Sequence, residues 1–543
     1  MSHPADTPAV QHFKKQAKEL LRAYQHGDAK AYQYLRDNLP VAKDKRDAEL
    51  AALDLKLHDM QSATARSFGQ PSWTKFVEIL RLNKRIPVKV SPEAAPGVVL
   101  CGLLELAARH KWTAPLLRQV LQDPDIQAGP DLALNCAIGQ EDAVRAAIQA
   151  NPEAVHHVSK IHPNPQAPKP EDMLLEIPLL VAVTHSCLLD FDEHRPRLHR
   201  LARFLLDAGA DPNQSVVDGG HPLSSLYGAA GKRHDAELTR MLLEAGADPN
   251  DGESLYHSCE TTDLTCMQLL LEGGARVEGT NALQHMLDSD RLDGLKLLLK
   301  YTKDPDTGRD GIGTPLIWGI RRGRSAAHVK ALLDAGADPR IPNKDGLSPY
   351  RYAMQCGLAE VAEALREAGA GEELSVEEEF VAACARNDEP AARRLLAAHP
   401  GMLQLLSEAQ LRQLPELTEA YNFDAVRLMV RLGWPIAVTG GDWAASALNL
   451  AVYQGNAELA RFLVQHGASW TEKHGHGDNV IGTLSWASRN RGDWPGDWVG
   501  CAKVVVEAGF DAASLPEDFA RHFSPEVAAF LQSERERAGP GSA

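Results

Sequence analysis

The chain contains little cysteine, with eight residues among 543. Small secreted domains held together by disulfides have a far higher share, so a disulfide scaffold is excluded. No two cysteines form a Cys-x-x-Cys pair, which removes the commonest spacing for zinc binding and thiol redox chemistry. Cys136, Cys259 and Cys384 occupy positions where a repeated helix elsewhere carries a small residue, and we predict that they are small core residues. These features favour a reducing compartment, and we predict a cytoplasmic location.

Long apolar runs and excess positive charge are also absent. No uncharged apolar stretch reaches 18 residues, so the sequence predicts no membrane span. The first residues, MSHPADTPAVQHFKK, lack the apolar segment of a secretory signal. The chain has 57 Lys and Arg against 73 Asp and Glu, a net charge of −16. Nucleic acids and anionic membranes require a basic face, so this balance disfavours both and favours a partner with a basic surface.

Motifs that carry catalysis are missing as well. The sequence has no GxxxxGK[ST] or GxGxxG phosphate loop, no GxSxG elbow, no HExxH helix and no EF-hand loop. Hydrophobic residues make up 44% and charged residues 24%, which is typical of an ordinary folded protein. We therefore expect no cofactor, no catalytic residues and no metal ion.

What the sequence does contain is a recurring phrase. It reads FLLDAGADPN at 204–213, MLLEAGADPN at 241–250 and ALLDAGADPR at 331–340. Weaker copies of the phrase add Gly274 and Gly369: Gly336 and Gly369 are 33 residues apart, and Gly274 and Gly336 are 62 apart, which fits two short units. A fixed period of this size predicts stacked supersecondary units rather than several globular domains. Glycine accepts the left-handed conformation at a helix end, and the following Asp-Pro stops the helix from continuing.

Each unit also begins in a similar way, as in GTPLIWGIRRG (313–323) and LSPYRYAMQCG (347–357). Together, the starts and the glycine phrases resemble the ankyrin repeat over roughly residues 99–513. The resemblance implies antiparallel helix pairs joined by projecting β-turn fingers, which bind other proteins through the fingers and the inner helices. It predicts an all-α solenoid of about twelve helix pairs with short β-turn fingers and an N-terminal helical module.

The domain organisation follows from these patterns. The segment 14–40 aligns without gaps on the repeat segment 377–400, and the turn around Phe68, Gly69, Pro71, Ser72 and Trp73 resembles a module that often precedes ankyrin repeats in bacterial proteins. The resemblance therefore suggests a bacterial source. The predicted regions are an N-terminal helical module at 1–85, a linker at 86–98, an ankyrin-repeat array at 99–513 with a Pro-rich insertion at 156–178, and a C-terminal cap and disordered tail at 514–543.

Tryptophan is concentrated near the C-terminal end, where six of the nine lie between positions 434 and 498. Aligning GTLSWAS with GTPLIWGI places Trp486 beside Trp318 in the core, whereas the other five fall in fingers or loops. Exposed aromatic side chains often dominate binding energy, so this end is the predicted contact surface. Packing of these tryptophans under their own loops is the alternative. The candidate partner-binding residues are Trp443, Trp470, His474, His476, Asp478, Asp493, Trp494, Asp497 and Trp498.

The same loops allow a second hypothesis. His474, His476 and Asp478 could present three ligands on one extended segment, or could perform acid–base chemistry. The alternative function is therefore an enzyme or a metal-dependent small-molecule site built on the C-terminal Trp/His/Asp-rich loops. A polar finger tip that turns at Gly475 and Gly477 is the simpler interpretation. The favoured function is a non-enzymatic scaffold or adaptor that binds a protein partner.

Overall fold

The computed structural model describes residues 17–18, 20–43, 45–53, 55–67, 95–106, 131–161, 174–308, 313–491 and 495–537. The chain divides into two compact units, Met1–Ala275 and Arg276–Ala543. The described residues form mostly helices together with three short two-stranded hairpins. The predicted helical class is therefore confirmed in its coarser form, as a largely helical protein.

The N-terminal helices are built like the later ones. Their bounds are Ala29–Asn38, Pro40–Ala42 (a 3₁₀ turn), Asp47–Ala51 and Leu57–Ser67. Asp28 caps the first of these helices by accepting hydrogen bonds from the backbone N–H groups of Lys30 and Ala31. Asp388 caps its own helix in the same way, through the N–H of Ala391 at 3.0 Å. The gapless alignment of the two segments predicts this equivalence. The turn at 68–73 that resembles a bacterial module lies outside the described residues.

From residue 131 onward, the described part of the first unit contains four helix pairs. The pairs are Leu132–Ile138 with Glu141–Ala150, Leu179–Thr184 with Arg195–Asp207, the π-helical Tyr227–Lys232 with Ala236–Glu244, and Ser254–Ser258 with Thr265–Glu272; 3₁₀ turns lie at Pro152–His156 and Cys187–Asp190. Second helices pack on second helices along this series, and the helix Ala95–Leu104 packs on Leu132–Ile138. Since that helix begins at Ala95, the last four residues of the predicted linker are helical instead.

The second unit contains seven helix pairs and a closing helix. The pairs are Ala282–Asp288 with Leu292–Leu299, Pro315–Arg321 with Ala326–Asp334, Pro349–Gln355 with Ala359–Glu367, Val376–Ala385 with Glu389–Ala398, Gln413–Glu419 with Phe423–Arg431, Ala447–Tyr453 with Ala457–Gln465, and Val480–Asn490 with Trp498–Glu507; shorter helices lie at Met402–Leu405, Glu408–Leu411, Ala512–Ser514 and Phe519–His522. Within the first four pairs and within the last three, first helices pack on neighbouring first helices. Second helices pack on second helices within the first three pairs and within the last three, and Val376–Ala385 packs on the second helix Phe423–Arg431. Each pair thus buries its apolar face against its neighbours.

The closing helix Pro525–Arg537 packs on Trp498–Glu507 and buries Val527 and Leu531, as the predicted cap requires. Part of the prediction of a disordered tail is wrong, because residues 533–537 belong to this helix. Side-chain pairs one turn apart support the helical conformation there.

Hydrogen bonds link the helix end of one recurring phrase to the helix end of the next. Gly246 adopts a φ of 92°, the left-handed conformation that glycine accepts without strain. In the preceding finger, Asp211 accepts a hydrogen bond from the N–H of Asn213 at 2.9 Å. The Asn213 side chain in turn donates to the Gly246 carbonyl at 3.3 Å and accepts from the N–H of Asp248 at 2.8 Å. The Asp-Pro-Asn sequence thus ends one helix and fixes the start of the next finger.

Three hairpins extend from the fingers. They pair Val158–Ile161 with Leu175–Pro178, Ser215–Asp218 with His221–Ser224, and Thr439–Gly440 with Ala445–Ser446. The first hairpin joins the two ends of the predicted insertion at 156–178, whose middle, 162–173, lies outside the described residues. The described part of the insertion therefore contains an antiparallel hairpin.

All eight cysteines are free thiols. Cys136, Cys259 and Cys384 are buried, which confirms their prediction as small core residues. Burial raises the pKa of the Cys384 thiol to about 12. Across the described ranges, no helix combines the length and the apolar character that a bilayer span requires.

Candidate functional site

In the second unit, the same position in the first helix of several pairs carries the side chains that form the candidate site. The seventh residue, counted from the helix start, is Asp288, Arg321, Glu419, Tyr453 or Trp486 in five of the seven first helices. First helices pack on one another within the first four pairs and within the last three, so the seventh residues within each series follow one another. Charged side chains occupy this position in the first, second and fifth pairs, Gln355 and Ala382 occupy it in the third and fourth, and aromatic side chains occupy it in the last two.

The aromatic part of this surface is a continuous series of rings, here called the aromatic strip. It consists of Trp443, Tyr453, His474, His476 and Trp486. The rings of Tyr453 and Trp486 stack with centroids 5.8 Å apart and planes inclined by 19°. Trp443 lies 5.4 Å from Tyr453 and 4.8 Å from His474, whose ring is 5.7 Å from that of His476. Such offset and edge-to-face geometries are favourable for aromatic pairs.

The prediction that Trp486 belongs to the core is wrong, since 54% of its surface is exposed. The alignment with Trp318 was displaced, because Thr314 is the N-cap of its helix whereas Thr483 is the fourth residue of its own helix. Trp318 is the fourth residue of its helix, and it is buried as predicted. Trp486 is the seventh residue of its helix, the position that Tyr453 occupies in the preceding first helix, and the two rings stack on each other.

Two tryptophans predicted in loops or fingers are buried. Trp434 is 3% exposed, stacks on Phe380 with centroids 6.0 Å apart, and donates its indole N–H to the carbonyl of Leu411 at 3.0 Å. Trp498 is 8% exposed and is the first residue of a helix. The prediction of Trp498 as an exposed anchor is therefore wrong, because this helix turns its first residue toward the core. Trp434 and Trp498 therefore belong to the core of the chain rather than to its surface.

The remaining candidate residues lie in several places. Trp470 is partly buried, with its ring 5.2 Å from that of Phe510. Asp497 is exposed but caps the following helix by accepting the Gly500 N–H at 2.6 Å. Asp493 and Trp494 lie outside the described residues. Of the nine candidates, the structure brings Trp443, His474 and His476 into one cluster, and it adds Tyr453 and Trp486, which the sequence argument missed.

The finger that carries the histidines is a tight polar turn. The N–H of His474 donates to the carbonyl of Asp478 at 3.0 Å, and the N–H of Gly477 donates to the carbonyl of His474 at 2.8 Å. The His474 Nδ1 atom accepts the N–H of His476 at 3.2 Å, so a local bond already uses this ring nitrogen. Burial lowers the pKa of His474 although the charge of Asp478 opposes the shift. Within the described parts of the chain, no three His, Cys, Asp or Glu side chains come together as a metal site.

Beside the aromatic strip lies a group of charged side chains, here called the charge cluster. Its members are Asp288, Arg321, Arg322, Glu419 and Asp442. One carboxylate oxygen of Asp442 lies 2.6 Å from Arg321, and the other lies 2.9 Å from Arg322. Arg322 also lies 2.7 Å from Asp288. The cluster thus connects the finger of one helix pair to the first helix of a pair 120 residues earlier in the chain.

Trp318 contacts two members of the charge cluster. Its indole N–H donates to Asp288 at 3.0 Å, and the guanidinium of Arg322 lies over its ring at 4.3 Å from the centroid. A cation over an indole face is attracted by the ring quadrupole. Burial raises the pKa of Glu419 to about 7, and the charge of Asp442 adds to this effect while Arg321 and Arg322 oppose it. Glu419 therefore titrates near neutral pH.

A second charged group lies in the first unit, around Arg233, whose side chain is 1% exposed. Its guanidinium pairs with Glu105 at 2.8 Å and Asp190 at 3.0 Å. The neighbouring Lys232 donates to the carbonyl of Leu104 at 2.7 Å, at the end of a helix, and burial lowers the pKa of Lys232 to about 8. These cations satisfy carbonyls and carboxylates of the chain itself. The charged group therefore holds the end of the helix Ala95–Leu104 in place and does not form an exposed binding surface.

The chain was also compared with known proteins. No family model matches it, and no curated protein is significantly similar. Its function must therefore be inferred from its own residues. Tyr453 and Trp486 are both seventh residues of their helices, so the sequence could indicate them only if the residue at which each helix begins were known.

Proposed function

We propose that the chain is an ankyrin-type repeat protein that binds a protein partner through the aromatic strip and the neighbouring fingers, without catalysing a reaction. The recurring glycine phrase and the succession of helix pairs support the ankyrin assignment. The inner helices and fingers are also the surfaces that this resemblance associates with partner binding. In the same proposal the chain acts as a scaffold or adaptor in the cytoplasm, consistent with eight free thiols.

The exposure of Trp486 is the observation that carries this proposal. Among the described residues it is the largest hydrophobic side chain on the surface. Exposing an indole to water is unfavourable, and burying one at the centre of an interface can contribute about 2 kcal/mol or more. Its partly exposed neighbours Tyr453 and Trp443 extend the apolar area. The strip is thus already assembled in the free chain, which reduces the entropy lost on binding.

Charge indicates the kind of partner. The net charge of −16 favours association with a protein that presents a basic surface. Within the chain itself, the guanidinium of Arg491 lies 4.3 Å from the centre of the Tyr453 ring. A ring of the strip therefore already accommodates an arginine on its face, as it would accommodate an arginine of the partner.

The test compares two single replacements of exposed aromatic residues. Trp486→Ala removes the outer ring of the strip, whereas Tyr421→Ala removes a ring that is 53% exposed in the same unit and outside the strip. A partner is first identified by affinity capture with the unmodified chain, and its affinity for each purified variant is then measured by calorimetry. We expect Trp486→Ala to weaken binding by about 2 kcal/mol or more, and Tyr421→Ala to change it little.

Both side chains are exposed, so both variants should fold, which circular dichroism verifies. Unchanged affinity of the folded Trp486→Ala variant would exclude the aromatic strip as the binding surface. An equal loss in both variants would point to a general effect on the unit rather than to a local contact.

A further inference from the structure

The hairpin that carries Trp443 has little structure of its own. Its strands, Thr439–Gly440 and Ala445–Ser446, contain two residues each. Between them, Gly441 and Ala444 have positive φ angles of 72° and 50°. An isolated two-stranded hairpin is marginally stable in water even when it is longer. The position of this finger, and of the Trp443 ring, therefore depends on contacts outside the hairpin.

The first strand of the hairpin packs on the helix Gln413–Glu419, and the charged contacts of the finger converge on Asp442, the residue before Trp443. Both of its carboxylate oxygens are bound, one by Arg321 and the other by Arg322. Its backbone N–H donates to the carboxylate of Glu419. Each arginine side chain is itself mostly covered, and Arg322 is fixed by Asp288. The finger is thus attached by charge to the C-terminal end of the helix Pro315–Arg321.

We propose that Asp442, Arg321 and Arg322 form an ionic clamp that holds the 439–446 finger in place, so that ionic strength controls the position of Trp443 while the helix pairs remain folded. The helix pairs are held by buried apolar contacts, which salt weakens little. Ion pairs near the surface are screened when the Debye length falls to about 3 Å at about 1 M salt. The finger is therefore the part of this surface that salt releases first.

A second set of contacts limits how far the released finger can move. The carbonyl of Trp443 accepts the N–H of Gly475 at 2.8 Å, and its ring lies against Tyr453 and His474. These contacts are uncharged hydrogen bonds and ring packing, so salt does not remove them directly. Release of the clamp consequently reorients Trp443 instead of detaching it. The inference concerns regulation of the surface in the proposed function, but it describes the free protein and requires no partner.

The experiment follows Trp443 in the free full-length chain labelled with 5-fluorotryptophan. The ¹⁹F resonance of Trp443 is assigned by its loss in Trp443→Phe and is recorded from about 0.05 M to about 1 M salt, a range over which screening becomes nearly complete. In the unmodified chain, we expect this resonance to move with salt. In Asp442→Asn, it should stand at the high-salt position already at low salt and should no longer respond.

The matched control is Glu458→Gln, which breaks a comparable pair with Arg427 at 2.8 Å in the same unit. That variant should retain the salt response of Trp443. Arg321→Gln removes one of the two guanidinium partners and should give an intermediate position, which keeps the test decisive if Asp442→Asn folds poorly. A Trp443 resonance that ignores salt in the unmodified chain, or that is the same in Asp442→Asn at low salt, would overturn the clamp. Neither result would bear on whether a partner binds Trp486.

Discussion

At the residue scale, His199 shows how buried charge is balanced in the first unit. Its Nε2 atom lies 2.8 Å from Asp235 and its Nδ1 atom lies 3.1 Å from Glu237. Burial by itself would lower the pKa of His199, but the hydrogen bonds and charges of these two carboxylates outweigh burial and raise it. Asp235 also caps the next helix by accepting the N–H of Leu238 at 3.0 Å. One imidazole therefore connects two second helices.

The raised pKa of His199 predicts a pH dependence of stability. The contribution of a group with a raised pKa is complete below its ordinary value, near 6.5, and is lost as the pH rises through the raised value. His199→Leu should therefore lower the melting temperature more at about pH 5.5 than at about pH 9, and the loss at acid pH should correspond to about 1–3 kcal/mol, because the buried Asp235 loses its partner. The exposed His221→Leu variant is the control. Equal losses at both pH values for His199→Leu would show that packing alone is responsible.

The tryptophans show how far residue-level prediction from the sequence could go. The sequence located the aromatic end of the chain, and it placed Trp318 in the core. It could not sort Trp486 from Trp498, because that depends on the residue at which each helix begins. Trp486 is the seventh residue of its helix and Trp498 is the first, and a displacement of one residue rotates a helical side chain by about 100°. Helix starts are the least reliable part of any interpretation of a sequence.

At the element scale, the fingers gain their order from side chains that reach the next pair. The Asn213 amide makes two bonds to the following helix end, to the carbonyl of Gly246 and from the N–H of Asp248. The Asn250 side chain likewise donates to the carbonyl of Gly274 at 3.4 Å. The asparagine of the recurring phrase therefore links one helix pair to the next, which gives a physical reason for its presence at both Asn213 and Asn250.

Replacing Asn213 tests this connection. Asn213→Ala removes both bonds and should destabilise the following finger by about 1 kcal/mol, the usual net value of exposed or partly exposed hydrogen bonds. The amide of Asp248 should then exchange with solvent several-fold faster, as measured by hydrogen exchange of short peptides. Asn213→Asp keeps the acceptor for Asp248 and should retain most of that protection. If the exchange of Asp248 is unchanged in Asn213→Ala, the finger is ordered by its backbone alone.

Element boundaries that depend on local chemistry were the ones that the sequence could predict. Glycine with a positive φ ends the helices before Gly246 and Gly336, and both ends follow directly from the recurring phrase. The π-helical turn Tyr227–Lys232 has no such signal, since its geometry is coupled to the buried Lys232 and Arg233. The closing helix extends to Arg537 although its last residues are highly charged, because the Gln532–Glu536 hydrogen bond and the Glu534–Arg537 ion pair, each about one turn apart, support it.

At the scale of the whole molecule, the sequence repeat predicts the approximate number of helix pairs. It does not predict contacts between side chains that are far apart in the sequence. The period near 33 residues predicts about twelve helix pairs, and the described residues contain eleven, four in the first unit and seven in the second. The contact of Arg322 with Asp442 could not be predicted, because it joins pairs that are far apart in the sequence. Such contacts depend on how neighbouring pairs are rotated, which a repeat pattern leaves open.

The most direct test of the account is hydrogen–deuterium exchange of the full chain with and without its captured partner, resolved by mass spectrometry of overlapping peptides. If the partner binds the aromatic strip, its presence should slow exchange in peptides that cover 439–453 and 474–491. Peptides from the first unit, including 204–250, should exchange as they do in the free chain. Protection confined to the first unit, or to the insertion at 156–178, would contradict the account and place the binding surface elsewhere.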